Sequence, residues 1–310
     1  MSRSDSPTEP IDTREATPDP PRSSRHVDQA ALPQFRLVRP LGEGATSRVY
    51  LANEPSGGSV VVKLVGGRFA GEGVEARRHR AALAAMAAIR HPHIMAIRAW
   101  GKALDGRVFV VMPWAEGARD LRGWMCGPMP VERVRDLGLQ LLAALARIHQ
   151  AGLVHRDIKP SNCLVVGGRP PQLQVFDFGS VVRVGKARLS RPCPRSIYGT
   201  RAYLAPERHD GLVGPTSDLY STGVVLFEAF TGRRPFLAED AQVLERQHAC
   251  APVPFVRRLV PELPESLDPF FRRALGKHPL KRFRSAASMA RALQAALEGA
   301  GQAEIERFAS

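Results

Sequence analysis

The segment His155 to Asn162, read H-R-D-I-K-P-S-N, limits what this chain can be more than any other stretch. Asp157, Lys159 and Asn162 put a carboxylate, an ammonium and a carboxamide within six residues, and Asp177-Phe178-Gly179 adds a second acidic centre fifteen residues past Asn162. Such a set suits phosphoryl transfer. An Asp beside a substrate hydroxyl can orient it and take its proton. A Lys can neutralise the moving phosphoryl group, while an Asn and an Asp hold metal ions that bridge phosphate oxygens.

The upstream pattern supplies a place for a nucleotide. From Phe35 the alternation is β-like until the turn Gly42-Glu43-Gly44-Ala45-Thr46-Ser47-Arg48-Val49, whose glycines let the backbone approach phosphates without a Cβ clash. Flanking strands would hold this turn as a hairpin lid. Ser59 to Val65 reads as a buried strand with one charge, Lys63, and an ammonium there needs an anionic partner such as phosphate oxygens. Glu72 to Ile89 has helix propensity and stops before His91-Pro92. Ile94 to Trp100 and Arg107 to Met112 read as two further strands of a small antiparallel sheet. Pro130 to Ala151 is an amphipathic helix with apolar positions at Val134, Leu137, Leu141, Leu142, Leu145 and Ile148. Pro171 to Phe176 is a short strand that delivers Asp177. The last amphipathic helix runs from Ala286 to Leu297.

Taken in order, these segments resemble the protein kinase family, in particular serine/threonine kinases of the eukaryotic-like kind found in bacteria. The likeness is carried by the glycine-rich turn, Lys63, H-R-D-I-K-P-S-N, D-F-G, Gly199-Thr200 and Ala205-Pro206-Glu207, and it covers the chain from about Phe35 to Leu297. It implies an α+β fold of two lobes. Residues 34–112 would form a small antiparallel-sheet lobe with one long helix, 113–117 a hinge, and 118–300 a large, mainly helical lobe. Residues 1–33 are expected to be a disordered tail, being rich in Pro, Ser and Thr without apolar periodicity; residues 301–310 would be a short C-terminal tail.

The resemblance also implies roles. Asp157 would accept the hydroxyl proton, with Lys159 beside it and Lys63 on the α- and β-phosphates. Lysine two residues after Asp157 resembles the Ser/Thr-directed pattern rather than the Tyr-directed one. Asn162 and Asp177 would hold Mg²⁺, or Mn²⁺ in its place. ATP would be enclosed by Leu41, Gly42, Glu43, Gly44, Ala45, Thr46, Ser47, Val49 and Val61, with Met112 at the back of the adenine pocket, Trp114 and Ala115 on the hinge, and Leu164 below. Ser47 stands where the family pattern has a third glycine. His155 is structural, Asp218 holds the loop backbone, and Glu207 pairs with Arg282.

One position departs from the family. Counting back ten residues from Pro92 for the helix carboxylate that should meet Lys63 gives Ala82. Glu75 lies seven residues earlier, roughly 10 Å along a helix axis. Either a shifted helix lets Glu75, or in second place Glu72, meet Lys63, or Asp177 and phosphate alone hold the lysine. Between Gly179 and Glu207 the chain has no acidic residue and six basic ones from Arg183 to Arg201. Phosphorylation at Ser190 or Ser196, with Arg156 as a bidentate receptor, is therefore the expected mode of activation. Thr200 is reserved for bonding Asp157 and Lys159.

Composition sets the remaining bounds. With 310 residues, 44% hydrophobic and 24% charged, the chain can bury a large core, and it has neither a signal-peptide core nor an apolar run long enough for a membrane span. A cytoplasmic location follows. The net charge of +14 comes from arginine spread over every segment, without a nucleic-acid motif, so specific nucleic-acid binding is not expected. Cys126, Cys163, Cys193 and Cys250 are too widely spaced for a C-x-x-C site and are read as reduced thiols. Partners are then ATP and proteins bearing Ser or Thr hydroxyls; oligomeric state is left open. Two rival readings are a nucleotide-binding scaffold without catalysis, motivated by Ala82, and a small-molecule phosphotransferase, opposed by Ala205-Pro206-Glu207.

Overall fold

Alternation along Ser59–Val65 organises the smaller lobe. A computed structural model of the chain describes residues 22–44, 46–168, 170–184, 201–208 and 211–308. After a helix α1 (Arg22–Ala31), strands β1 (Arg36–Gly44), β2 (Ser47–Asn53), β3 (Ser59–Val65), β4 (Ala99–Lys102) and β5 (Val108–Pro113) form one antiparallel sheet in the order β1-β2-β3-β5-β4. Successive side chains of a strand point to opposite faces. Val60, Val62 and Leu64 therefore join Tyr50, Ala52 and Val111 on an outer face, covered by Ala31, Leu32 and Phe35. Val61, Lys63 and Val65 face the other way. Register pairs Val49 with Lys63 and Val61 with Met112, so these four side chains share the inner face.

Helix α2 (Val74–Ala87) lies between β3 and β4 in sequence and buries Ala76, His79, Ala82, Leu83 and Met86. The larger lobe follows. It holds the short strand β6 (Arg119–Asp120), helix α3 (Val131–Gln150), strands β7 (Leu153–Val154), β8 (Cys163–Val166), β9 (Gln172–Val175) and β10 (Val182–Arg183), and helices α4 (Pro215–Thr231), α5 (Ala241–Cys250), α6 (Leu267–Ala274) and α7 (Ala286–Phe308). Strands β6-β8-β9 form one small sheet and β10-β7 another. Helix α3 turns Val134, Leu137, Leu141, Leu145 and Ile148 inward, and α4 is buried along nearly its whole length. That is the pattern of a central helix surrounded by others. No helix among the described residues is long and apolar enough to cross a membrane.

Helix α4 ends at Gly232, whose φ of 70° lies in the left-handed region. An added Cβ there would sit 2.9 Å from the backbone nitrogen of Pro128. Strain and overlap act together, so Gly232→Ala is expected to cost about 2–4 kcal/mol of unfolding free energy. Urea denaturation of the two proteins checks this.

Three expectations change. The N-terminal segment does not lack structure up to residue 33: Arg22–Ala31 is helical, Asp28 and Leu32 are fully buried, and both lie against the sheet. The apolar and ionic partners that order this helix lie elsewhere in the chain, which local composition cannot register. The strand expected over Ile94–Trp100 is confined to Ala99–Lys102, because Ile94 instead bridges Val175 and Met95 N–H donates to the Val175 carbonyl. The last helix continues from Ala286 to Phe308 rather than stopping at Leu297, and so takes in the expected tail at 301–308.

Candidate functional site

The inner face of the sheet forms the roof of a cleft between the lobes. The space, about 820 Å³ including its open mouth, is lined from above by Leu41, Gly42, Val49, Val61 and Lys63, and from behind by Met95 and Met112. Pro113, Trp114, Ala115 and Ala118 line its connecting edge, and Leu164, Phe176 and Asp177 its floor. A largely apolar slot with a cation and an anion at one end suits a flat heteroaromatic ring with a charged tail. Of the residues singled out for nucleotide binding, Glu43, Gly44, Thr46 and Ser47 lie at the tip of the β1–β2 hairpin rather than in this lining, and Ala45 is outside the described residues. Met95, Ala118 and Phe176 were not anticipated, and Pro113 was expected only as the first residue of the hinge.

At the charged end, Lys63 Nζ donates to Asp177 Oδ1 at 2.5 Å. The same oxygen accepts the Gly179 N–H at 3.1 Å. Burial opposes ionisation of Asp177, but the Lys63 ammonium and these hydrogen bonds prevail and bring its carboxyl down to about 2. The carboxylate is thus charged at any working pH. Asp177 has φ 65°, a left-handed conformation uncommon outside glycine that turns its side chain into the cleft.

Glu75 is not the partner of Lys63. It stands exposed in the first turn of α2, whereas Ala82 is fully buried among the apolar residues of the core. The helix register brings a methyl group inward where a carboxylate was sought, and Asp177 takes the lysine instead.

Below this pair lies the loop that follows β7. Asp157 Oδ2 accepts from Lys159 Nζ at 2.8 Å and from Asn162 Nδ2 at 2.9 Å, and the same Nδ2 also donates to the Asp157 carbonyl at 2.8 Å. Asp157 Oδ1 is buried and has no hydrogen-bond partner among the described residues. A buried carboxylate oxygen without a donor is costly unless a ligand supplies one. The loop is held from behind. Asp218, in the first turn of α4, accepts the His155 N–H at 2.9 Å, the Arg156 N–H at 2.8 Å and a bond with His149 Nε2 at 2.9 Å. Burial works against its charge, yet His149 and the loop amides keep the Asp218 carboxyl below its usual range. His155 is fully buried, 3.0 Å from the Phe176 carbonyl and edge-on to the Phe178 ring.

The donors fit a divalent cation. Both side-chain bonds of Asn162 use its Nδ2 and both bonds to the Asp177 carboxylate fall on Oδ1, which leaves Asn162 Oδ1 and Asp177 Oδ2 for a metal. No group of three or more His, Cys, Asp or Glu side chains among the described residues forms a metal cage. One carboxylate, one amide and substrate phosphates is how a hard, well-hydrated cation such as Mg²⁺ is commonly held. Cys163, next to Asn162, is fully buried, and burial pushes its thiol up to about 12, so it stays protonated and unreactive. Ser190, Ser196, Thr200 and Cys193 lie outside the described residues. Arg156 is described, with φ 72°, directly before Asp157.

A family model described as a protein kinase domain matches residues 35–294. Similar proteins include the serine/threonine-protein kinase PrkC of Bacillus subtilis, 31% identical over 260 residues, which are 83% of this chain and 39% of PrkC. Pkn1 of Myxococcus xanthus is 34% identical over 267 residues, covering 85% of this chain and 38% of Pkn1. PknL of Mycobacterium tuberculosis is 34% identical over 283 residues, covering 90% of this chain and 68% of PknL. The chain thus spans about two fifths of the length of the first two. The PknI kinase domain of Mycobacterium tuberculosis superposes with a TM-score of 0.65 at 26% identity, over 85% of this chain and 95% of that one.

Proposed function

This chain belongs to the protein kinase family, and from that premise we propose that it transfers the γ-phosphoryl group of ATP to serine or threonine hydroxyls of proteins, itself included. The observation that carries the reading is Asp157 Oδ1, buried and without a donor, on a carboxylate whose other oxygen is already fixed by Lys159 and Asn162. A substrate hydroxyl supplies the missing donor and is oriented and deprotonated by the same oxygen. Lys159, 2.8 Å from Oδ2, offsets charge on the transferring group.

In the cleft, Val49, Val61 and Leu164 enclose the adenine ring and the backbone of 113–115 hydrogen-bonds its edge. Lys63 then exchanges part of its contact with Asp177 for phosphate oxygens. Asn162 and Asp177 would hold Mg²⁺, or Mn²⁺ in its place, and the ion when bound neutralises the β- and γ-phosphate oxygens. The catalytically silent scaffold suggested by Ala82 gains no support from the cleft or from the relatives. ATP as phosphoryl donor and the free thiols of Cys126, Cys163 and Cys250 support a cytoplasmic location.

The test is incubation with γ-labelled ATP, Mg²⁺ and a basic acceptor protein. Label should appear on serine or threonine of the acceptor and of the enzyme, and Lys63→Met should reduce it more than about tenfold. Absence of label with the wild type, with either Mg²⁺ or Mn²⁺, overturns the reading.

A further inference from the structure

Helix α1 brings a carboxylate into the outer face of the sheet. Asp28 is fully buried, and a charge there is sustained only by dedicated partners. Its Oδ1 accepts from Arg107 Nη2 at 2.5 Å; its Oδ2 accepts from the Tyr50 hydroxyl at 2.5 Å and from Arg48 Nη1 at 3.3 Å. The helix is anchored again just past this point. Gln29 Nε2 donates to the Phe35 carbonyl at 2.7 Å, Gln29 Oε1 accepts the Leu37 N–H at 2.9 Å, and the Ala31 carbonyl accepts the Leu104 N–H at 3.0 Å.

Arg48 gives this cluster a reach beyond packing. It is the second residue of β2, just past the glycine-rich turn, and its register partner across the hairpin is Glu43. Its Nε donates to Glu43 Oε1 at 2.9 Å. One guanidinium thus joins a buried carboxylate on α1 to an exposed carboxylate on the hairpin, whose underside at Leu41, Gly42 and Val49 roofs the cleft. Between exposed side chains alone, the Arg48–Glu43 pair would restrain the hairpin little. Asp28 makes the difference by fixing the arginine at its other end.

We infer that Asp28 is a positioning residue for the nucleotide: through Arg48 it holds the glycine-rich hairpin over the cleft, so that less chain freedom is lost when ATP binds. The inference rests on the reading of this cleft as the ATP site. A hairpin freed from α1 binds ATP more weakly in ground and transition states alike, which raises KM for ATP and leaves kcat nearly unchanged. The KM for acceptor protein does not depend on this link.

The experiment compares the full chain with Asp28→Asn, Arg48→Met, the double variant and Tyr50→Phe, measuring kcat, KM for Mg·ATP, KM for a basic acceptor protein, and thermal melting. Asp28→Asn and Arg48→Met should each raise KM for ATP about fivefold, with no further rise in the double variant, because both break one linkage. Tyr50→Phe removes another bond to Asp28 without touching the route to the hairpin. It should lower the melting temperature and leave KM for ATP unchanged. Arg48 is partly exposed, so its variant carries the test if Asp28→Asn fails to fold. Normal wild-type turnover with KM for ATP unchanged in Arg48→Met overturns the inference alone, as does a KM rise of equal size in Tyr50→Phe. No ATP turnover in the wild type overturns the proposed function and this inference with it.

Discussion

Replacing Asp157 with asparagine is expected to lower kcat by about 10²–10⁴-fold, the range over which a positioned acid or base contributes, while affinity for ATP stays close to that of the wild type. The geometry makes the substitution clean. Asparagine can place its carbonyl where Oδ2 now accepts from Lys159 and Asn162, so the bonds that hold the loop survive. Its amide nitrogen then lies where Oδ1 stands, and a donor faces the substrate hydroxyl in place of an acceptor. The nucleotide is gripped elsewhere, by the sheet, the hinge and the Lys63–Asp177 end of the cleft. Stopped-flow or steady-state phosphorylation gives kcat, and calorimetric titration with a non-hydrolysable ATP analogue gives the affinity. Retention of more than about a tenth of wild-type kcat would remove Asp157 from the role of proton acceptor.

How much of this was legible in the sequence differs from element to element, and the differences have physical causes. Segments defined by local chemistry were readable: the period-two run of β3, the 3.6-residue stripe of α3, and the short spacings between Asp157, Lys159 and Asn162, which place these three side chains on one loop. Features decided by distant partners were not. The order in α1 depends on Asp28 meeting Arg48, Tyr50 and Arg107, which lie 20, 22 and 79 residues away. A window rich in Ser and Pro gives no sign of that. The partner of Lys63 depended on the rotational setting of α2. Composition established the helix, but tertiary packing turned Ala82 and Leu83 inward and left Glu75 exposed, so the lysine's counter-charge comes from Asp177, 114 residues on. Met95 and Phe176 enter the cleft for a related reason. A backbone bond from Met95 to Val175 ties together two segments that the sequence presents separately.

Arg282→Met should be the most damaging single change outside the cleft, costing about 3–5 kcal/mol of unfolding free energy and about 10 °C in melting temperature. Arg282 and Glu207 form a bidentate pair, with both contacts at 2.7 Å, and the arginine side chain is wholly buried. The guanidinium also donates to the carbonyls of Gly276, Lys277 and Thr216, and it stacks 4.6 Å from the Tyr220 ring. Its removal leaves Glu207 buried with Ser217 as its remaining side-chain donor. The pair also joins the Ala205-Pro206-Glu207 segment to the connection between α6 and α7, so activity should fall along with stability. Dependence on pH identifies the cause. In the wild type, burial opposes the charge on Glu207 but the Arg282 bonds outweigh it, and its carboxyl is held below the ordinary value. A depressed carboxyl contributes stability that is fully present above its unfolded pKa, about 4.3, and that is lost as pH falls through the lower, folded value. Without Arg282, the Ser217 bond is the main counterweight left against burial, so the carboxyl should rise from its wild-type position and the variant relieves its buried charge by taking up a proton. The stability gap between wild type and variant should therefore be widest near neutrality and narrow as pH falls below about 5. Replacing both partners, as Arg282→Met with Glu207→Leu, should recover part of the loss at neutral pH, since an apolar pair is less costly than a lone buried charge. Chemical denaturation from pH 4.5 to 7.5 distinguishes the cases. A gap independent of pH, with no recovery in the double variant, would assign the damage to lost packing of the arginine stem rather than to the unpaired carboxylate.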